Sequence, residues 1–316
     1  MLPMSLLVAI NGWSPDEWIA RFQRETPSIP IVDARTAFDP ASIRYAAVWK
    51  PTPGLLAGLP NLAAIFNLGA GVDALLGDPT LPSAPVVRVV DPDLTGRMTE
   101  YVVLHCLDRL RRGDRHRAAQ ARREWLADYQ PAAPDVRIGI MGMGVLGRDA
   151  SAVLARLGFR VAGWSRRGEA VPGVGTFAGA EGLKPFLART DILVVLLPLT
   201  PDTRGILDRG LFAGLARDGA LGGPILINAG RGGLQVEADI LAALDDGTLA
   251  HAVLDVFETE PLPTESPFWA HPKVTVTPHN AADSDPQHIC RYTLDQIGRL
   301  ERGLPLENVV DRKTGY

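Results

Sequence analysis

Three short polar segments interrupt the apolar runs of the second half of the chain: Asn228-Ala229-Gly230-Arg231-Gly232, Leu254-Asp255-Val256-Phe257-Glu258-Thr259-Glu260-Pro261, and Thr277-Pro278-His279-Asn280. Each follows a β-type stretch, where an open α/β sheet presents its ligand crevice. Together they hold a guanidinium, a carboxylate and an imidazole. Hydride transfer to a 2-oxo acid calls for that set: a cation to hold the carboxylate and polarise the ketone, a proton donor for the developing alkoxide, and a group that keeps the donor charged. Arg231, His279 and Glu260 can fill these roles. The other histidines, His105, His116, His251, His271 and His288, have no comparable setting.

A hydride needs a carrier, and a second pattern supplies the place for one. The run Val136–Met141 ends in Gly142-Met143-Gly144-Val145-Leu146-Gly147, a G-x-G-x-x-G that passes at once into helical spacing through Ala150, Val153, Leu154 and Leu157. In a strand–loop–helix setting the first glycine permits the tight turn, the second lets main chain approach a pyrophosphate, and the third lets helix pack on strand. Val145 and Leu146 open that helix, whose N-terminus offers unpaired N–H groups and a positive dipole end. The next strand, Arg160–Trp164, ends in Ser165-Arg166-Arg167, with no carboxylate expected at the position that receives the ribose 2′-hydroxyl of NAD. Two guanidiniums and a hydroxyl suit a 2′-phosphate, so NADPH is expected to be preferred, with NADH possible.

These motifs, in this order and at about these spacings, resemble the D-isomer-specific 2-hydroxyacid dehydrogenases over essentially the whole chain. Within that family the resemblance is strongest to the glyoxylate/hydroxypyruvate reductase A group, through Ala47-Val48-Trp49-Lys50-Pro51, Leu68-Gly69-Ala70-Gly71-Val72-Asp73, Gly163-Trp164-Ser165-Arg166 and Glu260-Pro261-Leu262-Pro263. The resemblance implies that His279 protonates the substrate carbonyl oxygen while Glu260 keeps the imidazole charged. It implies that Arg231 bridges the substrate's carboxylate and carbonyl oxygens. Trp49 would wall the pocket for small polar substrates, and the main-chain N–H groups of Ala70 and Gly71 would receive the carboxylate. Asp255 matches the residue that binds the nicotinamide carboxamide, and Pro198, Thr203 and Asn228 lie in stretches that line the cofactor. Two departures stand out. Gly230 occupies a position where the family usually carries Ala or Ser, which would loosen the arginine's loop, and Asn280 would alter hydrogen bonding near His279. The alternatives are a phosphoglycerate or D-lactate type dehydrogenase, which Ser165-Arg166 and Trp49 argue against, and a dinucleotide-sensing binding protein.

The elements that must position these residues are legible in outline. β-rich runs at Leu6–Ile10, Ile29–Ala34, Tyr45–Trp49, Ala64–Asn67 and Val86–Val90 predict one α/β sheet. A second series is expected at Val136–Met141, Arg160–Trp164, Ile192–Leu197, Ile225–Asn228, Ala252–Asp255 and Val274–Thr277. Apolar spacing predicts one long connecting helix from about Arg97 to Ala127, and another from Asp285 to Arg302 folding back on the first domain. The expected architecture is therefore two Rossmann-like α/β domains with an interdomain cleft. A flavodoxin-like substrate domain would comprise residues 1–97 and 284–316, and a dinucleotide-binding Rossmann domain residues 98–283.

Composition excludes other classes. With 316 residues, 46% of them hydrophobic, the chain can bury two cores. A net charge of −4 gives no footprint for nucleic acid. The basic stretch Arg111–Arg123 is interrupted by Asp114 and flanked by Asp108 and Glu124, and reads as a solvated or subunit-contact face. Two distant cysteines indicate neither a disulfide framework nor a metal site, and suit a reducing cytoplasm. Ser5–Ile10 is too short for a signal sequence and is expected as a strand, and no run of roughly 20 apolar residues suggests a membrane span. The family resemblance implies a homodimer.

Overall fold

A computed structural model describes residues 4–283 and 285–315. The chain divides into two compact units: the segment ending at Leu94 together with the segment from Asp283 onward, and the stretch Thr95–Ala282.

In the first unit, β1 (Ser5–Ile10), β2 (Ile31–Asp33), β3 (Ile43–Trp49), β4 (Ala64–Asn67) and β5 (Val86–Val87) form a parallel sheet in the order β2-β1-β3-β4-β5. This is the flavodoxin-like order, with its switch point beside β3. All six residues of β1 are buried, which is why the strand reads as an unbroken apolar run. Helix α1 (Asp16–Glu25) begins after Ser14, whose hydroxyl accepts the Asp16 N–H, and the single turn α2 (Asp73–Leu76) follows the loop after β4.

Helices α3 (Pro92–Leu110) and α4 (Gly113–Ala121) occupy the stretch for which sequence spacing predicts one continuous helix. The break has a local cause. Arg112 adopts φ +52, and the helix restarts at Gly113, where an added Cβ would lie 2.0 Å from Asp108 Oδ1. A side chain there would displace the ends of Asp108 and Arg117, which pack over the glycine. Arg117 of α4 then pairs with Asp108 at 2.8 Å.

The second unit holds β6 (Arg137–Met141), α5 (Val145–Arg156), β7 (Arg160–Ser165), β8 (Gly175–Ala178), α6 (Gly179–Ala188), β9 (Ile192–Val195), α7 (Arg209–Ala213), β10 (Ile225–Asn228), α8 (Glu237–Asp245), β11 (His251–Leu254) and β12 (Val274–Val276). The seven strands are parallel in the order β12-β11-β10-β9-β6-β7-β8. Counted from β6, this is the doubly wound dinucleotide-binding order, reversing between β6 and β9. Alternate strand residues feed two cores: Ile192, Val194, Ile227 and Val253 on one side, Leu193, Val195, Leu226 and Leu254 on the other. Strand β8 has no counterpart in the sequence expectation, since its four residues are mostly exposed at the sheet edge and carry no apolar run.

The chain closes with α9 (Pro286–Glu301) in the first unit, capped by Asp285 accepting the Gln287 N–H at 2.7 Å. It packs on α1, with an Arg291–Glu25 pair at 3.4 Å on the rim. Among the described residues no helix is long and apolar enough to cross a membrane.

Candidate active site

The turn between β6 and α5 uses its three glycines differently. Gly142 sits at φ +103, and a Cβ there would lie 2.6 Å from the carbonyl oxygen of Leu196. Gly147 is closed more tightly: a Cβ would meet the carbonyl oxygen of Gly142 at 1.9 Å, so any side chain would push α5 off the sheet. Beside Gly144 an added Cβ meets nothing within 4 Å. The loop is thus packed on its protein side and open at its middle glycine, next to the first-turn N–H groups of Val145, Leu146 and Gly147, which helix geometry leaves without intrahelical acceptors. That is a fit for a pyrophosphate.

At the end of β7 one expectation is corrected. Sequence spacing places no carboxylate near Ser165, yet Ser165 Oγ donates to the carboxylate of Glu169. The reason is local: Gly168, at φ +74, reverses the chain, and its N–H donates to Ser165 Oγ at 3.0 Å. Arg166 and Arg167 are exposed on that turn.

Arg231 lies just past β10, at the head of the turn Gly232–Leu234. Its Nη1 donates to the carbonyl of Gly230 at 2.8 Å. The fully buried Asn228 shapes this loop, with Oδ1 accepting the Gly230 N–H at 3.1 Å and Nδ2 donating to the Arg231 carbonyl at 3.2 Å and to Gln235 Oε1 at 2.9 Å. Gln235 in turn donates to the Val256 carbonyl at 3.0 Å, tying the arginine's loop to the one that carries Glu260. The two loops touch at Gly232, where a Cβ would lie 1.9 Å from the Phe257 carbonyl oxygen.

Glu260 has one oxygen held and one aimed. Its Oε1 accepts the Phe257 N–H at 3.1 Å, while Oε2 lies 2.8 Å from His279 Nδ1. Since an ionised carboxylate only accepts, Nδ1 carries the proton, and Nε2 is the nitrogen left for proton exchange with a ligand. His279 itself stands at φ +55, with its N–H donating to the carbonyls of Asp255, at 2.8 Å, and Thr277, at 3.1 Å. Asp255, 2% exposed, organises the same turn: Oδ1 accepts the Thr277 hydroxyl at 2.6 Å and the Asn280 N–H at 3.1 Å, and Oδ2 accepts the Ala281 N–H at 3.1 Å. Thr277 Oγ1 also lies 2.8 Å from the Tyr101 hydroxyl. Burial pushes the Tyr101 phenol upward, so it stays protonated and donates to Thr277, which donates to Asp255.

In the first unit, Trp49 ends β3 and stacks on Trp13, ring centroids 5.0 Å apart. The loop after β4 packs against that indole: a Cβ on Gly69 would lie 2.3 Å from Trp49 Cζ3. The buried Asn67 fixes the loop's shape by donating to the carbonyls of Gly69, at 2.8 Å, and Gly71, at 2.9 Å.

The sequence pattern of the D-isomer specific 2-hydroxyacid dehydrogenase NAD binding domain matches residues 103–281. A glyoxylate/hydroxypyruvate reductase A from Serratia proteamaculans is 41% identical over 99% of this chain and 100% of its own length. The chain belongs to the D-isomer specific 2-hydroxyacid dehydrogenase family. Among family members of known structure, the NADPH-dependent glyoxylate/hydroxypyruvate reductase from Sinorhizobium meliloti, in complex with NADP and sulfate, is 50% identical with a TM-score of 0.95. That match covers 99% of this chain and 100% of the other. A Xanthobacter autotrophicus member in complex with NADPH and MES is 40% identical with a TM-score of 0.93, over 99% and 100% of the two chains.

Seen as a member of this dehydrogenase family, the chain brings His279 and Glu260 into contact and sets Arg231 on a neighbouring, tied loop. Asn228 and Asp255, expected at the cofactor, are buried and spend their hydrogen bonds on the loops of Arg231 and His279. Pro198 and Thr203 form one turn after β9, the Thr203 hydroxyl donating to the Pro198 carbonyl at 2.7 Å. The Gly230 departure does not loosen the loop, because its N–H is held by Asn228 and a Cβ would lie 2.9 Å from the Leu197 carbonyl oxygen. Asn280 gives its main-chain N–H to Asp255 and is otherwise exposed. Sequence reasoning missed Gln235, Asn67, Trp13 and Glu169. A polar residue inside an apolar run was the signal for Gln235 and Asn67, while Trp13 and Glu169 acquire their partners only through the fold.

Proposed function

We propose that this chain reduces glyoxylate and hydroxypyruvate to their 2-hydroxy acids with NADPH preferred over NADH. The observation that carries the reading is the Glu260–His279 contact at 2.8 Å, set beside an arginine loop and a glycine turn shaped for a dinucleotide. Bound NADPH supplies the hydride. Arg231 holds the substrate carboxylate with its bidentate fork and polarises the carbonyl oxygen. His279 gives the Nε2 proton of its imidazolium to the developing alkoxide, and Glu260, accepting from Nδ1, orients the ring and stabilises that positive charge. The main-chain N–H groups of Ala70 and Gly71 serve the carboxylate, and Trp49, braced by Trp13 and Gly69, walls the pocket in favour of small polar substrates. Asp255 and Asn228 act through His279 and Arg231, and Val145, Leu146, Pro198 and Thr203 line the cofactor.

The expected surroundings are a reducing cytoplasm, in keeping with two buried free thiols, Cys106 and Cys290, and a homodimer. Support for the dimer comes from the second unit, where Leu104 (61% exposed), Trp125 (98%) and Tyr129 (80%) present apolar surface on and after α3. Sedimentation of the full chain at twice the monomer mass is the expected result.

The test of the activity is the initial rate of NADPH and NADH oxidation with glyoxylate, hydroxypyruvate and pyruvate. Rapid NADPH-linked turnover of the first two acids, lost in His279→Ala, is the expected outcome. Turnover confined to pyruvate, or none at all, overturns the substrate assignment.

A further inference from the structure

Ser165 has one hydroxyl proton, and it is committed. It goes to the carboxylate of Glu169, while the Gly168 N–H donates to Ser165 Oγ at 3.0 Å. Glu169 is half-buried in the turn after β7, the strand whose end receives the adenosine ribose in this fold, and β7 pairs directly with β6, the strand that leads into the glycine turn. Four influences keep its carboxyl below the usual carboxylate range: the Ser165 hydroxyl first, then a main-chain hydrogen bond from Glu169 itself, then the charges of Arg148, on the first turn of α5, and Arg167. The carboxylate therefore remains ionised in the presence of both cations.

Two recognition chemistries meet in this turn. Arginines and a hydroxyl are donors that a 2′-phosphate needs; an ionised carboxylate is the acceptor that a ribose 2′-hydroxyl needs, and it repels a phosphate. We infer that Glu169 sets the cofactor selectivity of this chain, accepting a ribose 2′-hydroxyl when NADH binds and opposing the 2′-phosphate when NADPH binds. The inference rests on the nicotinamide-dependent reading above and deepens it. For a 2′-phosphate to take the Ser165 hydroxyl proton, Glu169 must release it and turn toward Arg148 and Arg167. NADPH is preferred because cations outnumber the one carboxylate, and NADH stays usable because the carboxylate is present.

The test is calorimetric binding of 2′,5′-ADP and of ADP to the full chain and to its Glu169→Gln and Glu169→Ala variants, with thermal unfolding as a check on folding. Both ligands lack the nicotinamide, so the readout is independent of catalysis. Removing the charge should raise the ratio of ADP Kd to 2′,5′-ADP Kd by about five- to tenfold in both variants, through tighter 2′,5′-ADP and weaker ADP binding. A ratio unchanged within twofold, or one that falls, overturns the role of Glu169. The unsubstituted chain's own ratio tests the NADPH preference separately, and a chain that binds neither ligand overturns both.

Discussion

The main-chain carbonyl of Asp255 accepts the N–H of His279 at 2.8 Å, while the Asp255 carboxylate, buried behind it, takes the N–H groups of Asn280 and Ala281 and the hydroxyl of Thr277. One residue at the end of β11 thus holds the strained turn that carries the proposed acid. Histidine is among the few residues that tolerate a positive φ, but the conformation still needs outside support.

Asp255→Asn should therefore act on both stability and rate. An amide would turn an NH2 group toward N–H donors in a buried place, costing about 1–3 kcal/mol. Urea denaturation should show that loss, and kcat should fall because His279 is no longer held. Unchanged kcat with full stability would remove Asp255 from the positioning of the histidine.

Removing the acid and removing its carboxylate partner should give different signatures. His279→Ala should lower kcat/KM for glyoxylate by roughly 10²- to 10⁴-fold, the usual contribution of a positioned acid. Glu260→Gln keeps a hydrogen-bond acceptor at Nδ1, so it should lower the rate less and move the pH profile. Cofactor binding, followed by NADPH fluorescence, should survive both. Loss of NADPH binding in His279→Ala would place the histidine at the cofactor instead.

Gly147→Ala probes the dinucleotide turn. The new methyl would meet the Gly142 carbonyl oxygen at 1.9 Å, and the obstacle is main chain that cannot swing aside. Affinity for NADPH should drop by more than tenfold with a loss of thermal stability, whereas Gly144→Ala, with open space beside it, should fold normally and lose affinity alone.

His251 predicts an acid limit to stability. Burial, and then the charge of Arg109, lower its pKa from 6.5 to about 4. The unfolded chain therefore takes up a proton at this residue as pH falls below 6.5, while the folded chain does not until about 4. Stability from this group is full above 6.5 and is lost progressively down to about 4, by an amount on the order of 3 kcal/mol. His251→Asn, measured by urea denaturation at pH 7 and pH 4.5, should lose less stability across that interval than the unsubstituted chain. Equal losses would show that the histidine does not titrate differently on unfolding.

Most of the frame was written in local sequence. Strands such as β4 and β10 are short apolar runs whose ends coincide with the expectation, because parallel strands buried on both faces must be apolar throughout. The glycine turn was equally legible, since each glycine answers a steric demand set by its immediate neighbours. Edges and interruptions were not. Strand β8 is defined by pairing with β7 and carries no apolar pattern of its own, and the break between α3 and α4 falls at Arg112, a residue type that does not announce its left-handed conformation.

The amino-acid sequence by itself determined the identities of the proposed reacting groups, Arg231, Glu260 and His279, their places after successive strands, and the glycine turn proposed for the dinucleotide, because chemistry and strand periodicity are properties of residue type and spacing. Tertiary structure alone decided what each polar residue is for. Asp255 and Asn228 became supports of the His279 and Arg231 loops, Gln235 became the tie between two loops, and Glu169 met Ser165 across a glycine reversal. The physical reason is that a hydrogen bond requires a partner within about 3 Å in the right direction, and directions are set by how the chain folds back on itself.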